Sequence, residues 1–172
     1  MIKTKNRKAK PAHAGRVARG LVNTEIASCQ NLIRFNSKNI SLILQEILHL
    51  LKLSSSSVSI VFCDNKFISK LNRKFFKKSQ STDVISFPLA DESCHGYLGE
   101  IVISVEEAKK VCDFYEKKWQ EELTLYLIHG ILHLVGYDDI KKKDRMAMEQ
   151  KQEKILSGLL QKYKKTIYDI GS

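Results

Sequence analysis

The chain has 172 residues, of which 43% are hydrophobic and 28% charged, a balance that suits one domain with a buried core and excludes wholesale disorder. No apolar run reaches the roughly 18–20 residues that a membrane-spanning helix needs, so we expect no membrane partner. The formal net charge is +10, but residues 1–20 hold seven basic residues and no acid, and the rest of the chain carries 22 basic against 19 acidic residues.

The basic character is therefore concentrated at the amino terminus. We predict a basic, disordered arm over residues 1–24 and a single domain over residues 25–172. The arm has no apolar centre, so it is not a secretory signal; a transit peptide, an RNA-contacting arm, a vector remnant and a wrongly assigned start all stay open. The four cysteines are widely spaced without a C-x-x-C pair, which favours reduced thiols in a cytoplasmic protein over a cysteine zinc site.

Apolar spacing predicts four elements in the first half of the chain. A short strand over residues 31–35 is followed by an amphipathic helix over 39–53, whose apolar residues recur at helical spacing. Residues 58–63 are rich in β-branched side chains, as in a buried strand. Asp64 then caps a helix over residues 65–76.

The second half is predicted to contain two strands and three helices. The strands span residues 83–87 and 97–104, and the helices begin at Ser104, span residues 119–135 and span residues 140–163. The helix over 119–135 is apolar almost all round, which indicates a buried element. Gly136 ends it, because glycine tolerates the left-handed backbone of a helix terminus.

The predicted element order is β-α-β-α-β-β-α-α-α. Helical connections predict that the first three strands are parallel, and the short turn of residues 90–96 predicts an antiparallel fourth strand. The predicted fold is therefore α+β, with a small mixed four-stranded sheet of three parallel strands and one antiparallel strand, packed with about five helices.

One segment carries the residues of a metal site. His129 and His133 are four residues apart on a predicted helix, so both imidazoles project from one face and can bind one divalent ion. Gly136 then ends the helix and lets the chain bring the carboxylate of Asp138 or Asp139 to the same ion. Two nitrogens and one oxygen leave a position open for water, as in hydrolytic metal sites.

Two other interpretations of this segment stay open. The histidines could be ordinary core residues, or the protein could be a metalloprotease, since Asp139 stands ten residues after His129 as the third protease ligand does. The residue after His129 is Gly130 rather than the glutamate that such proteases use as general base, which disfavours peptide hydrolysis. His95 is a reserve metal ligand if its turn folds over the site.

The segment resembles the H-G-x-L-H-L-x-G-Y-D-H motif of the YbeY family of bacterial and organellar endoribonucleases. The matching residues are His129, Gly130, Leu132, His133, Leu134, Gly136, Tyr137 and Asp138. The last histidine of the motif is replaced by Asp139. Residues 71–72, 82–88 and 98–103 also resemble the family, so the similarity spans roughly residues 58–140.

The resemblance implies a metal-dependent endoribonuclease with one divalent ion, usually taken as zinc, near a cleft for single-stranded RNA. The implied ligands are His129, His133 and Asp139. The negative charge of Asp139, compared with a histidine, should weaken the metal as a Lewis acid. Asp138 would turn the chain or form a hydrogen bond to one of the ligands. The implied role is cytoplasmic maturation of ribosomal RNA, at the small-subunit 3′ end, and ribosome quality control. The implied partners are ribosomal RNA, the small ribosomal subunit and other assembly factors.

The chain departs from the family at a second position. Where the family has Tyr-Arg, with an arginine that engages RNA phosphate, this sequence has Phe75 and Phe76. Lys77 and Lys78 are then the candidate substrate-binding residues, although they could equally be a solvated loop, and lysine lacks the fork of arginine. The nucleophile, water or ribose 2′-hydroxyl, and the general base are unassigned. A ribosome-associated RNA-binding factor with a structural metal and a metalloprotease-like hydrolase are the alternative functions.

Overall fold

The computed structural model describes residues 24–89, 96–115 and 118–172. Within these ranges the elements follow the predicted chain order. They are β1 (Glu25–Ser28), α1 (Ser37–Leu50), β2 (Ser57–Cys63), α2 (Asn65–Phe76), β3 (Val84–Pro88), β4 (Tyr97–Ser104), α3 (Val105–Tyr115), α4 (Trp119–Leu134) and α5 (Lys142–Tyr168). The predicted arm up to residue 23 and the reserve ligand His95 lie outside the described residues.

The strands form one mixed sheet in the order β1-β2-β4-β3. β1, β2 and β4 are parallel, and β3 pairs antiparallel with β4, so the predicted α+β fold with three parallel strands and one antiparallel strand is confirmed. The antiparallel strand is β3, however, and not the fourth strand as predicted. The reason is that the polar loop after α2 carries the chain back to the sheet end where β2 finishes: the Ser104 N–H donates to the Asp83 carbonyl at 2.8 Å.

The first strand was also predicted at the wrong place. Residues 31–35 do not form a strand, because the side chain of Gln30 forms hydrogen bonds with the backbone of this segment. Its Oε1 accepts from the N–H groups of Leu32 and Ile33 at 2.6 and 3.0 Å, and its Nε2 donates to the Ile33 carbonyl at 2.9 Å. Such local bonds compete with a strand ladder, and Phe35 alone of this segment forms an isolated bridge, to the C-terminal residues.

The helices cover the two faces of the sheet unequally. α1, α4 and α5 lie over one face and enclose the main core, whose largest fully buried side chains include Phe62, Leu44, Ile101 and Leu127. α2 covers the other face above a small cluster of Cys63, Ile68, Ile85 and Val102. Neighbouring residues of β3 therefore point to different helices.

The predicted boundaries are confirmed for α2 and wrong for the end of α5. α2 spans the predicted residues, and the carboxylate of its N-cap, Asp64, accepts from the Phe67 N–H at 2.7 Å. α5 continues past its predicted end at residue 163, because Tyr163 is a kink with φ −122° and ψ 23° rather than a terminus.

No helix within the described ranges combines the length and apolarity required to cross a membrane.

The described cysteines fit the interpretation of reduced thiols. Cys63 is fully buried, and its Sγ donates to the Ile103 carbonyl at 3.4 Å. Burial, with a smaller contribution from Cys29, raises the pKa of the Cys63 thiol to about 12. The thiol therefore stays protonated and is a poor metal ligand.

α4 packs tightly against the sheet at Gly130. A Cβ at this position would lie 2.6 Å from Cγ2 and 3.0 Å from Cδ1 of Ile101 on β4. The Gly130 carbonyl also accepts from Ser86 Oγ of β3 at 3.1 Å. The missing side chain thus lets the helix backbone contact β4 and bond to β3, which holds α4 in one rotation about its axis.

We expect Gly130→Ala to destabilise the protein and Gly158→Ala to stabilise it. The first change overpacks the helix–sheet contact, which costs about 1–3 kcal/mol and outweighs a gain of about 1 kcal/mol in helix propensity. Gly158 lies in α5, where an added Cβ would meet nothing within 4 Å, so alanine there should raise the free energy of unfolding by about 0.5–1 kcal/mol. Urea denaturation of both variants measures this; changes of the same sign would contradict the packing argument.

Candidate metal centre

His129 and His133 lie one turn apart near the C-terminal end of α4, and both are half-buried. Their Nε2 atoms are 2.9 Å apart, and their ring planes cross at 82° with centroids separated by 4.5 Å. The i, i+4 spacing therefore brings the two imidazoles together as the sequence predicted.

The turn after α4 brings a carboxylate back to the two rings. Gly136 has a φ of +92°, in the region that favours glycine. Asp138 Oδ1 accepts from the N–H groups of Asp139 and Ile140 at 2.8 and 3.2 Å, so the Asp138 side chain holds the turn. Asp139 Oδ2 consequently lies 4.0 Å from His133 Nε2.

The three side chains have the spacing of a metal site. Among the residues that the structure describes, His129, His133 and Asp139 are the single group of side chains that could hold a metal ion. Their candidate ligand atoms all lie within 4.8 Å of one another. Tetrahedral bonds of roughly 2.0–2.1 Å place two ligand atoms about 3.4 Å apart. The separations of 2.9 and 4.0 Å lie on either side of that value, so the three side chains would have to rotate to hold an ion between them.

The outer nitrogens of both rings are already bonded to carbonyl oxygens. His133 Nδ1 lies 3.0 Å from the Tyr137 carbonyl, and His129 Nδ1 lies 2.6 Å from Oε1 of Gln152. Because a carbonyl oxygen only accepts, Nδ1 is the donor in each of these two bonds, which leaves Nε2 as the atom that would bind a metal ion. The two Nε2 atoms face each other at 2.9 Å, on the same side as two ligands of one ion.

Sequence reasoning missed the contribution of α5. Gln152 holds His129 from this helix, and Arg145 Nε donates to the Asp139 carbonyl at 2.9 Å. Neither residue belongs to a motif, and Gln152 is 23 positions from His129. A bond to the outer nitrogen orients a metal-binding histidine and sets its tautomer, so α5 supports both ends of the centre.

The two candidate substrate-binding lysines lie apart from this trio. Lys77 and Lys78 follow the C-terminal end of α2 and are exposed, and Lys77 ends the helix with a left-handed φ of 62°. Asn72 anchors the loop that they begin, because its buried Nδ2 donates to the Gln80 carbonyl at 2.9 Å. α2, which ends at these lysines, and α4, which carries the histidines, cover opposite faces of the sheet.

Comparisons with known proteins connect this arrangement to one family. The family model described as Endoribonuclease YbeY matches residues 25–160. Proteins named Endoribonuclease YbeY from Carboxydothermus hydrogenoformans and Protochlamydia amoebophila are 36% and 35% identical to this chain over 138 and 123 residues. These alignments cover 79% and 70% of this chain, and 96% and 82% of the two relatives.

A solved structure shares the fold. The solution structure of a protein from Thermotoga maritima is similar with a TM-score of 0.61 and 25% sequence identity, covering 83% of this chain and 93% of the other. Together with the family match, this similarity confirms the resemblance that the sequence motif predicted.

We expect Gln152→Ala to weaken zinc binding by about 10- to 100-fold, because His129 loses the acceptor that fixes its tautomer and orientation. Isothermal titration of the metal-free protein with zinc measures the change. Gln150→Ala is the matched control, since Gln150 is exposed on the same helix. Equal zinc affinities for the two variants would show that the bond from α5 does not support the centre.

Proposed function

Because the chain belongs to the YbeY family of endoribonucleases, we propose that it is a metal-dependent endoribonuclease that cuts single-stranded RNA. In this proposal it acts in the cytoplasm on ribosomal RNA, at the 3′ end of the small-subunit RNA, and in ribosome quality control. Its partners are then ribosomal RNA, the small ribosomal subunit and other assembly factors. The names of the relatives support the endoribonuclease activity. The metal dependence and the choice of ribosomal RNA as substrate are additions made by this proposal.

The observation that carries the proposal is the pair of Nε2 atoms 2.9 Å apart beside a carboxylate. We assign His129, His133 and Asp139 as ligands of one divalent ion, with zinc as the metal that suits two imidazoles and one carboxylate. When bound, such an ion polarises a phosphate oxygen and makes water more acidic. The acceptors on both Nδ1 atoms orient the two imidazoles for this role.

The access to the centre favours a polymeric substrate over a small enclosed one. The side chains of His133 and Asp139 are 27% and 46% exposed, so a phosphate in an RNA strand can approach without opening of the fold. No side chain is assigned as the general base. The base position of metalloproteases is filled here by Gly130 packed on Ile101, and this supports RNA rather than peptide hydrolysis.

Lys77 and Lys78 supply counter-charge for the RNA backbone in this proposal. Both are exposed in the loop after α2, and residues 65–82 contain six basic residues and no acid. Lysine binds phosphate as a point charge, so we expect salt-dependent binding with little sequence selectivity. Specificity for ribosomal RNA ends would come from the assembled particle.

We expect cleavage of single-stranded ribosomal RNA fragments to be lost in chelator and restored by zinc, and His133→Ala to lower the cleavage rate at least about 100-fold, since a ligand is removed. Gel analysis of labelled RNA measures the rate. His49→Ala is the control, because His49 is exposed on α1 and bonds to Ser54. Casein in parallel reactions tests the metalloprotease alternative and should stay intact.

Two results would contradict this proposal. If folded His133→Ala cleaves RNA like the unaltered protein, the metal centre is not the nuclease site. If the zinc-loaded protein binds RNA but never cuts it, the alternative of a ribosome-associated factor with a structural metal is correct. Circular dichroism establishes that each variant is folded.

We expect replacement of both Lys77 and Lys78 by alanine to weaken RNA binding and to flatten its salt dependence. Each phosphate contact on a single strand contributes about 0.7 to the slope of log K against log salt, so the slope should fall by about 1.4. Fluorescence anisotropy at several salt concentrations measures it. Lys52→Ala is a matched control, because Lys52 is also exposed with a φ of 62°; an equal slope in both variants would exclude the two lysines from the interface.

A further inference from the structure

Exposed aromatic side chains cluster at the C-terminal end of α2. Phe75 and Phe76 are 52% and 50% exposed, although phenylalanine is usually buried. Both contact Phe87 of β3: the Phe75 and Phe87 ring centroids are 5.0 Å apart, and those of Phe76 and Phe87 are 6.4 Å apart. We call these three residues the phenylalanine cluster. The rings of Phe75 and Phe76 pack against Phe87 and remain open to solvent.

The phenylalanine cluster is bordered by positive charge. Lys74 Nζ lies 5.3 Å from the centroid of the Phe75 ring, and Lys77 and Lys78 follow Phe76 directly in the chain. An acid, Glu100, lies opposite the cluster in the sheet, where it pairs with Phe87 across β3 and β4. Aromatic rings within a basic surface are the combination that binds single-stranded nucleic acid, with rings for the bases and cations for the phosphates.

The cluster is connected to the metal centre through the edge strand. Phe87 points to the α2 face, whereas its neighbour Ser86 bonds to the Gly130 carbonyl, next to His129. β3 is the last strand of the sheet, so no further strand of the described chain separates its two faces. A single strand of RNA can therefore pass around this edge between the cluster and the centre.

We propose that Phe75 and Phe76, supported by Phe87, are a platform on which unpaired bases of the RNA substrate stack. This inference rests on the proposed function and adds a base-binding subsite to it. Because every base has an aromatic face, the platform is indifferent to sequence and selects unpaired RNA.

The test compares two labelled 2′-O-methyl oligonucleotides of equal length and charge, one with bases and one abasic. Fluorescence anisotropy at fixed salt measures both affinities, and a gel after the titration shows that the strands are intact. We expect the zinc-loaded protein to prefer the base-bearing strand by about 5- to 100-fold, the range for stacking of one base. Replacing Phe75 and Phe76 by leucine should remove most of that preference and leave abasic binding unchanged.

Two further variants and a measurement of thermal stability test whether the effect is specific to the aromatic rings. Tyrosine at both positions retains a stacking ring and should keep the preference. Phe67→Leu is the matched control, because Phe67 is 38% exposed on the same helix and lies in its first turn; it should bind as the unaltered protein does. Thermal melting of all variants detects loss of folding, and the tyrosine variant reports on the platform if the leucine variant fails to fold.

The platform hypothesis would be overturned if the leucine variant keeps the preference for the base-bearing strand, or if the unaltered protein shows no such preference. Either result is expected if the phenylalanine cluster binds another protein instead. Cleavage is read separately. RNA cutting without a stacking preference refutes the platform and leaves the nuclease proposal standing. A stacking preference that leucine removes, in a protein that never cuts RNA, supports the platform and refutes the nuclease.

Discussion

The contact between Gly130 and Ile101 is the constraint on which the candidate centre depends. Only a residue without a side chain lets α4 approach β4 this closely, and the bond from Ser86 fixes the helix against β3. With Gly130 directed at the sheet, His129 and His133 project from the side of α4, at the margin of the core. The same packing that buries the helix therefore leaves its two imidazoles half exposed, where a polymer can reach them.

The centre draws on three parts of the chain. α4 supplies the histidines, the turn after it supplies Asp139, and α5 supplies Gln152 behind the first ring. Each Nδ1 is bonded to a carbonyl oxygen, which orients the rings with their Nε2 atoms toward each other. Since the turn is held by backbone bonds to Asp138, the carboxylate position does not depend on its own side-chain contacts. The turn therefore places the Asp139 carboxylate beside the two histidines.

Strand β3 relates the metal centre to the surface on the opposite face of the sheet. Its residues alternate between the two helical layers, so Ser86 contacts α4 and Phe87 contacts the exposed aromatic rings of α2. In a central strand these faces would be separated by neighbouring strands. At the edge they are adjacent, and in the proposed function one RNA strand contacts both.

Features set by neighbouring residues were predictable from the sequence: the capped span of α2, the facing histidines of α4, the turn at Gly136 and the α+β class with its element order. Features set by distant residues were not. The direction of β3 depends on a loop that returns to Asp83, β1 lies elsewhere because Gln30 binds the backbone of residues 31–35, and Gln152 reaches His129 only after α5 packs on α4. Helical periodicity and capping act within a few residues, whereas strand pairing and support of the histidines require the folded chain to bring together residues that the sequence keeps apart.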